Sequence, residues 1–255
     1  MYRGYKINKQ TLDQIFLKLG YSKVENIEEY ISGTSRKVQQ SLMNIYDEID
    51  NEYLDGERIM RDWFPEIDNH VFISHSHNDI QIAKVFAGWL YGNFGITSFI
   101  DSSVWGYAND LLKIIDDKYC KNDVSNRYNY AKRNFSTSHI HMMLMAALNK
   151  MIDKTECIIF LNTSSSNICQ GINDKTLSPW IYGEIETTRN IRKQHPKRIK
   201  TFRGGGKIIK ENLDVQYPLN LKHLMDLNSD LLVQWSKGNI NDPLDALDKL
   251  YEITR

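Results

Sequence analysis

The sequence predicts an α/β fold, a doubly wound parallel sheet over residues 70–255, preceded by a helical extension. Three observations predict it. Val71-Phe72-Ile73-Ser74, Thr97-Ser98-Phe99-Ile100-Asp101 and Glu156-Cys157-Ile158-Ile159-Phe160-Leu161-Asn162 are short apolar runs between polar residues, as in strands buried in a parallel sheet. The segments between them carry apolar residues at helical spacing. Strand, polar loop, helix and strand therefore alternate, the pattern of linked βαβ units. A chain of 255 residues that is 41% hydrophobic can bury a core of this kind and fits one or two domains.

Taken in order, the first segment reads as helical. Leu12, Ile15, Phe16 and Leu19 share one helix face, and Gly20 follows as a cap. A longer stripe runs through Val38, Leu42, Ile45, Ile49 and Tyr53, and Trp63-Phe64-Pro65 closes it. This places a helical extension at 1–66 and the main domain at 67–255, with core motifs in 70–195. In the βαβ unit, Ile80, Ala83, Phe86, Ala87 and Leu90 line the helix, and Gly95 sits past its end. A helix is expected around Asn109–Tyr119, then a polar insertion or loop over Lys121–Asn134, then a Met- and Leu-rich helix over His139–Ile152. After the third strand comes a Ser/Asn-rich loop. Ser178-Pro179 reads as an N-cap followed by proline at the first helical position, opening a helix to about Lys193. Ile208–Gln216 and Leu231–Trp235 read as edge strands, and Asp242-Pro243-Leu244 opens a final helix.

Charge and composition exclude several classes. The 32 Lys+Arg balance 32 Asp+Glu, without the basic excess of a dedicated nucleic-acid binder, so nucleic acid is not an expected partner. No apolar run reaches the ~18–20 residues of a membrane span. Met1-Tyr2-Arg3-Gly4-Tyr5-Lys6 lacks the apolar core of a signal peptide, and a cytoplasmic location is the expectation. Cys120, Cys157 and Cys169 show neither CxxC spacing nor an even count, against a disulfide framework or a structural zinc site.

In an open parallel sheet, ligands bind beyond the carboxyl ends of the strands. Three polar clusters fall there: Ser74–Asp79, Asp101–Tyr107 and Thr163–Ser166. Trp180 and Glu184, at i and i+4, share one helix face at the same rim. An aromatic plane beside a carboxylate suits a substrate with a stacking ring and a carbon that becomes cationic. By itself the pair also fits a core tryptophan followed by a surface acid.

His70–Ser76 (HVFISHS) with Phe99-Ile100-Asp101 resembles the opening of a TIR (Toll/interleukin-1 receptor) domain. Ser178-Pro-Trp-Ile-Tyr-Gly-Glu184 resembles the WxxxE element of TIR domains that cleave NAD. The resemblance covers roughly residues 70–195, about half the chain. It implies a flavodoxin-like sheet and an NAD glycohydrolase or ADP-ribosyl cyclase, with NAD as substrate and no resident cofactor or metal. Glu184 matches the catalytic carboxylate. Ser76 and His77 match positions lining the NAD pocket, Trp180 packs on the sugar or ring, and Asp101 and Trp105 fall on the BB loop that shapes the pocket and takes part in assembly. The single early glycine, Gly106, and the Lys121–Asn134 insertion depart from the receptor-adaptor pattern and look more like bacterial TIR-like proteins of antiphage defence of the Thoeris type. Self-association through the TIR domain and a downstream effector that senses the product are the implied partners. The alternative is a non-catalytic TIR-type scaffold whose Trp180/Glu184 pair is structural.

The remaining signals have plainer readings. His75/His77 and His139/His141 are spaced by two, with no acidic or cysteine cluster to complete a zinc set, so no metal site is expected. Cys157 reads as a small hydrophobe within its strand. Arg203-Gly204-Gly205-Gly206-Lys207 lacks the phosphate-loop frame, and the nine Lys/Arg of residues 189–210 read as a solvated face.

Overall fold

Short, mainly apolar runs become interior strands only where neighbours satisfy the backbone on both sides. In the computed structural model this happens in one parallel five-stranded sheet. The structure describes residues 1–19, 55–101, 108–122, 127–166, 168–170, 173–194, 196, 217–238, 240 and 242–254. Strand β1 (Arg3–Asn8) leads into α1 (Lys9–Leu19), and α2 (Gly56–Trp63) precedes β2 (Val71–Ser74). A single 3-10 turn, His77–Asp79, opens α3 (Ile80–Phe94), followed by β3 (Ser98–Phe99), α4 (Ala108–Ile115), α5 (Tyr130–Lys154) and β4 (Cys157–Asn162). Then come β5 (Ile168–Gln170), β6 (Asn173–Thr176), α6 (Pro179–Asn190), β7 (Tyr217–Pro218), β8 (Met225–Asp226), α7 (Ser229–Ser236) and α8 (Pro243–Ile253).

The sheet runs β3-β2-β4-β1-β8 with every pair parallel. Cys157 stands opposite Arg3 on one side and Val71 on the other, so β4 is central, and its first five residues are buried. The general α/β expectation holds. One element of it is corrected: the first residues are a strand, and β1 is inserted between β4 and β8. Tyr5 and Ile7 are buried there, and Gly4 is required by close approach. A Cβ on Gly4 would meet Leu224 Cδ2 at 2.5 Å and Ile158 Cγ2 at 3.2 Å. The six residues of β1 were too short and too interrupted by Lys6 and Gly4 to stand out against the helical stripe that follows. Counted along the chain, the strand order is 3-2-4-1-5; the flavodoxin-like order is 2-1-3-4-5. The difference is the N-terminal strand, which takes the fourth place in the sheet.

Contacts divide the chain into two units, residues 1–28, 68–100 and 152–255 in the first and 29–67 and 101–151 in the second. The first unit holds the whole five-stranded sheet, so its boundary does not follow a division at 66/67. Its core joins the sheet to an aromatic cluster in which Phe94 stacks on Trp235 at 4.3 Å and Trp89 meets Phe94 edge-on at 5.4 Å. Trp235 donates its Nε1–H to the Ala246 carbonyl at 2.8 Å, tying α7 to α8 without an unpaired indole. That places Leu231–Trp235 in a helix, not an edge strand. Asn228 caps it by accepting from Leu231 N at 2.9 Å, and Leu232 and Trp235, three apart, are buried. The loop expected after β4 contains the antiparallel pair β5–β6, to which β7 adds. Ile208–Gln216, the stripe from Val38 to Tyr53 and the glycine run at 204–206 lie outside the described residues.

In the second unit, α5 begins at Tyr130, nine residues ahead of the expected start at His139. Asn129 supplies the cap, its side-chain oxygen accepting from Lys132 N at 3.1 Å. Buried Asp116 then holds the first turns, accepting from Arg133 Nε at 2.8 Å and Ser136 Oγ at 2.5 Å. These polar residues made the segment look like a loop; they are helical because a buried carboxylate binds two of them.

Candidate active site

Helix α6 positions the candidate carboxylate. Ser178 is its N-cap, accepting from Ile181 N at 3.2 Å, and Pro179 occupies the first turn, where no amide hydrogen is needed. Ile181 and Ile185 anchor the helix in a buried cluster with Phe160 of β4 and Leu219, Leu221 and Leu224. Glu184 lies between these two isoleucines in sequence, and its side chain is only 2% exposed. There it meets the end of β2: Ser74, fully buried, donates through Oγ to Glu184 Oε2 at 2.5 Å. A buried carboxylate needs such donors, because an unpaired charge or polar group away from water is costly.

A second buried carboxylate stands at the same end of the sheet. Asp79, at the start of α3, accepts from Thr163 Oγ1 at 2.5 Å, and Thr163 opens the loop after β4. That loop is closed on itself. Thr163 N donates to Ser166 Oγ at 2.8 Å, Ser166 Oγ donates to the Leu161 carbonyl at 2.8 Å, and the amides of Ser165 and Ser166 point at Thr163 Oγ1. The carboxyl ends of β2 and β4 therefore carry two serine or threonine hydroxyls, each bonded to a buried acid.

The other predicted residues are placed as follows. Trp180, one turn before Glu184, is half-buried. Ser76 is half-buried and His77 exposed on the turn entering α3; neither has a described contact with Glu184. His75, between them and Ser74, is the buried member of the run, its Nδ1 3.2 Å from the Ile73 carbonyl oxygen. Asp101 is half-buried and belongs by its contacts to the second unit; Trp105 lies outside the described residues. Two pairings among the rim residues were missed by sequence reasoning. Ser74 was placed in the polar cluster at the rim but given no role and no partner, though a serine ending an otherwise apolar β2 is the signal. The Asp79–Thr163 bond joins residues of two separately recognised clusters, and nothing local announces it.

One turn beyond Glu184, Thr188 Oγ1 lies 2.7 Å from His223 Nε2. Burial, then the positive charges of Arg189 and Lys193, push the His223 pKa down to about 4, so its imidazole is neutral near pH 7. Cys157 is fully buried in β4, and burial pushes its thiol well up, which keeps it from acting as a nucleophile. Among the described residues no group of three or more His, Cys, Asp or Glu side chains is placed to hold a metal ion, and no helix is long and apolar enough to cross a membrane.

No family model, curated protein or solved structure matches the chain.

Proposed function

We propose that this chain is an NAD-cleaving enzyme of the TIR type, with Glu184 as its catalytic carboxylate. The observation that carries the reading is the position of Glu184. It is a buried acid on the WxxxE helix, bonded to the serine that ends the FIS strand, so the two halves of the sequence resemblance meet in one side-chain contact. An all-parallel sheet whose β2 meets Glu184 at its carboxyl end supports it as well.

The chemistry asks little of acid–base groups. The bond between nicotinamide and ribose breaks with its electron pair passing to the pyridinium nitrogen, which leaves as a neutral ring and needs no proton. The sugar carbon gains oxocarbenium character, as in glycoside hydrolysis. A carboxylate held in a low-dielectric site stabilises that positive charge more than it does in water. Ser74 fixes one of its oxygens, and Trp180, one turn earlier, packs against the sugar or ring. Water then bonds to the carbon and releases a proton, giving ADP-ribose, or an internal hydroxyl attacks and gives a cyclic isomer. In the setting implied by the resemblance, antiphage defence, the product is a signal read by an effector or a by-product of NAD depletion.

NAD consumption with separation of products tests this, using concentrated protein and lysate of phage-infected cells expressing it. Wild type should lose NAD and release nicotinamide. Glu184→Gln should reduce turnover at least a hundredfold with an unchanged melting temperature, because the amide oxygen still accepts from Ser74. Glutamate-independent cleavage, or no cleavage by folded wild type under either condition, overturns the assignment; the second result returns the chain to a scaffold role.

A further inference from the structure

The second unit carries a cavity of about 660 Å³, within the ~300–1,000 Å³ typical of small-molecule sites. Its walls are mainly apolar, formed by Ile59 of α2, Ile115 of α4, and Ile140 and Met143 of α5. Phe135 also lines it and is 69% exposed. A large aromatic left in water beside a cavity walled by isoleucines marks a surface suited to an apolar ligand.

Besides Tyr119 and Cys120, the polar groups of the lining lie together on one helix. Lys132, Ser136 and His139 line the same cavity from successive turns of α5, at i, i+4 and i+7. The first turn of α5 holds no acidic residue, so Lys132 and Arg133 both stand at the positive end of the helix dipole, where cations are disfavoured. Asp116 offsets only one of them: its carboxylate takes Arg133 Nε at 2.8 Å and the Ser136 hydroxyl at 2.5 Å. The Lys132 ammonium forms no ion pair among the described residues, and the His139 ring is packed edge-on against Phe135 at 4.4 Å. Among the described residues Lys132 is thus a cation without an ion pair, at the positive end of a helix and beside an apolar cavity.

We propose that this cavity binds an amphipathic carboxylate of the size of a long-chain fatty acid. Its apolar body would lie among Ile59, Ile115, Ile140 and Met143, and its head group on Lys132. A carboxylate head group can pair with the Lys132 ammonium at the cavity mouth, whereas a polyanion such as a nucleotide would set several charges against apolar walls. Glu184 takes no part in this cavity, so the ligand is independent of the reaction proposed there.

Titration of the full chain with cis-parinaric acid, a fluorescent fatty acid, reads the site directly. Saturable one-to-one binding in the micromolar range is expected. Lys132→Gln, an exposed substitution that leaves melting unchanged, should weaken binding of the acid about tenfold while binding of its methyl ester stays as in wild type. Met143→Trp, which sets an indole where the apolar body would lie, should weaken binding of both at least tenfold. Absence of saturable binding to wild type overturns the proposal, as does an affinity for the acid that Lys132→Gln leaves unaltered.

Discussion

His223 illustrates how a single burial decides a pH response. Its pKa of about 4 in the folded chain lies below the ordinary 6.5. Between pH 6.5 and about 4 the unfolded chain therefore binds a proton that the folded chain does not. Stability contributed by neutral His223 is complete above pH 6.5, and it is lost as pH falls through that window. Because the imidazole is only partly buried, solvent screening reduces the effect to about 1–2 kcal/mol. His223→Asn should remove that part of the acid sensitivity. Urea midpoints of both proteins at pH 4.5 and 7 check it, and an identical pH dependence in the two would assign the acid response elsewhere. Glu184 presents the opposite case, an acid whose buried position depends on a donor. Ser74 supplies that hydrogen bond from a strand 110 residues earlier, so identity and spacing in sequence mark the acid but not its partner.

At the scale of elements, helix starts marked by a cap and a following proline were the most legible features, because a cap acts within three residues of itself. Ser178 takes up the predicted cap position, accepting from Ile181 N, and Asp242, at the predicted start of the last helix, accepts from Leu244 N and Asp245 N; each is followed by proline. Ser178→Ala should destabilise the chain by about 1 kcal/mol, with the urea m-value unchanged. Ser178→Asp should lose only a few tenths of that, since aspartate also accepts from the first-turn amides. Equal losses in the two variants would show that packing of α6, not its cap, sets the cost. Short apolar runs were less legible. Leu231–Trp235 fits strand and helix alike over five residues, and the outcome rests on Asn228 and on the place prepared for Trp235 against Phe94 and Trp89. The start of α5 was obscured for a different reason. Its polar residues bind a buried acid, and no hydrophobic period reveals a helix face that is held by charge.

For the whole molecule, β1 has the largest consequence. Tyr5 and Ile7 of β1 and Leu12 and Ile15 of α1 are almost completely buried. At about 1.5–3 kcal/mol per buried side chain, these four contribute roughly 6–12 kcal/mol, comparable to the whole stability of an ordinary domain. A chain consisting of residues 67–255 should therefore not fold, although it contains every motif of the TIR resemblance. Its amide dispersion and tryptophan emission should be those of an unfolded or collapsed chain, and adding a peptide of residues 1–19 should partly restore structure. A cooperative melt of the 67–255 chain equal to that of the full chain would show that β1 is an accessory strand. The sequence by itself determined the three strands β2, β3 and β4, the two helices opened by a cap and a proline, and with them the helix that carries Glu184. Each of these is written in periodicity, capping or apolar runs that act over a few neighbouring residues. The tertiary structure alone decided that an N-terminal strand lies beside β4, that Ser74 meets Glu184 and that Asp79 meets Thr163. Those pairings join distant parts of the chain, and they follow from which strand edges and buried polar groups still needed partners once the local elements had formed.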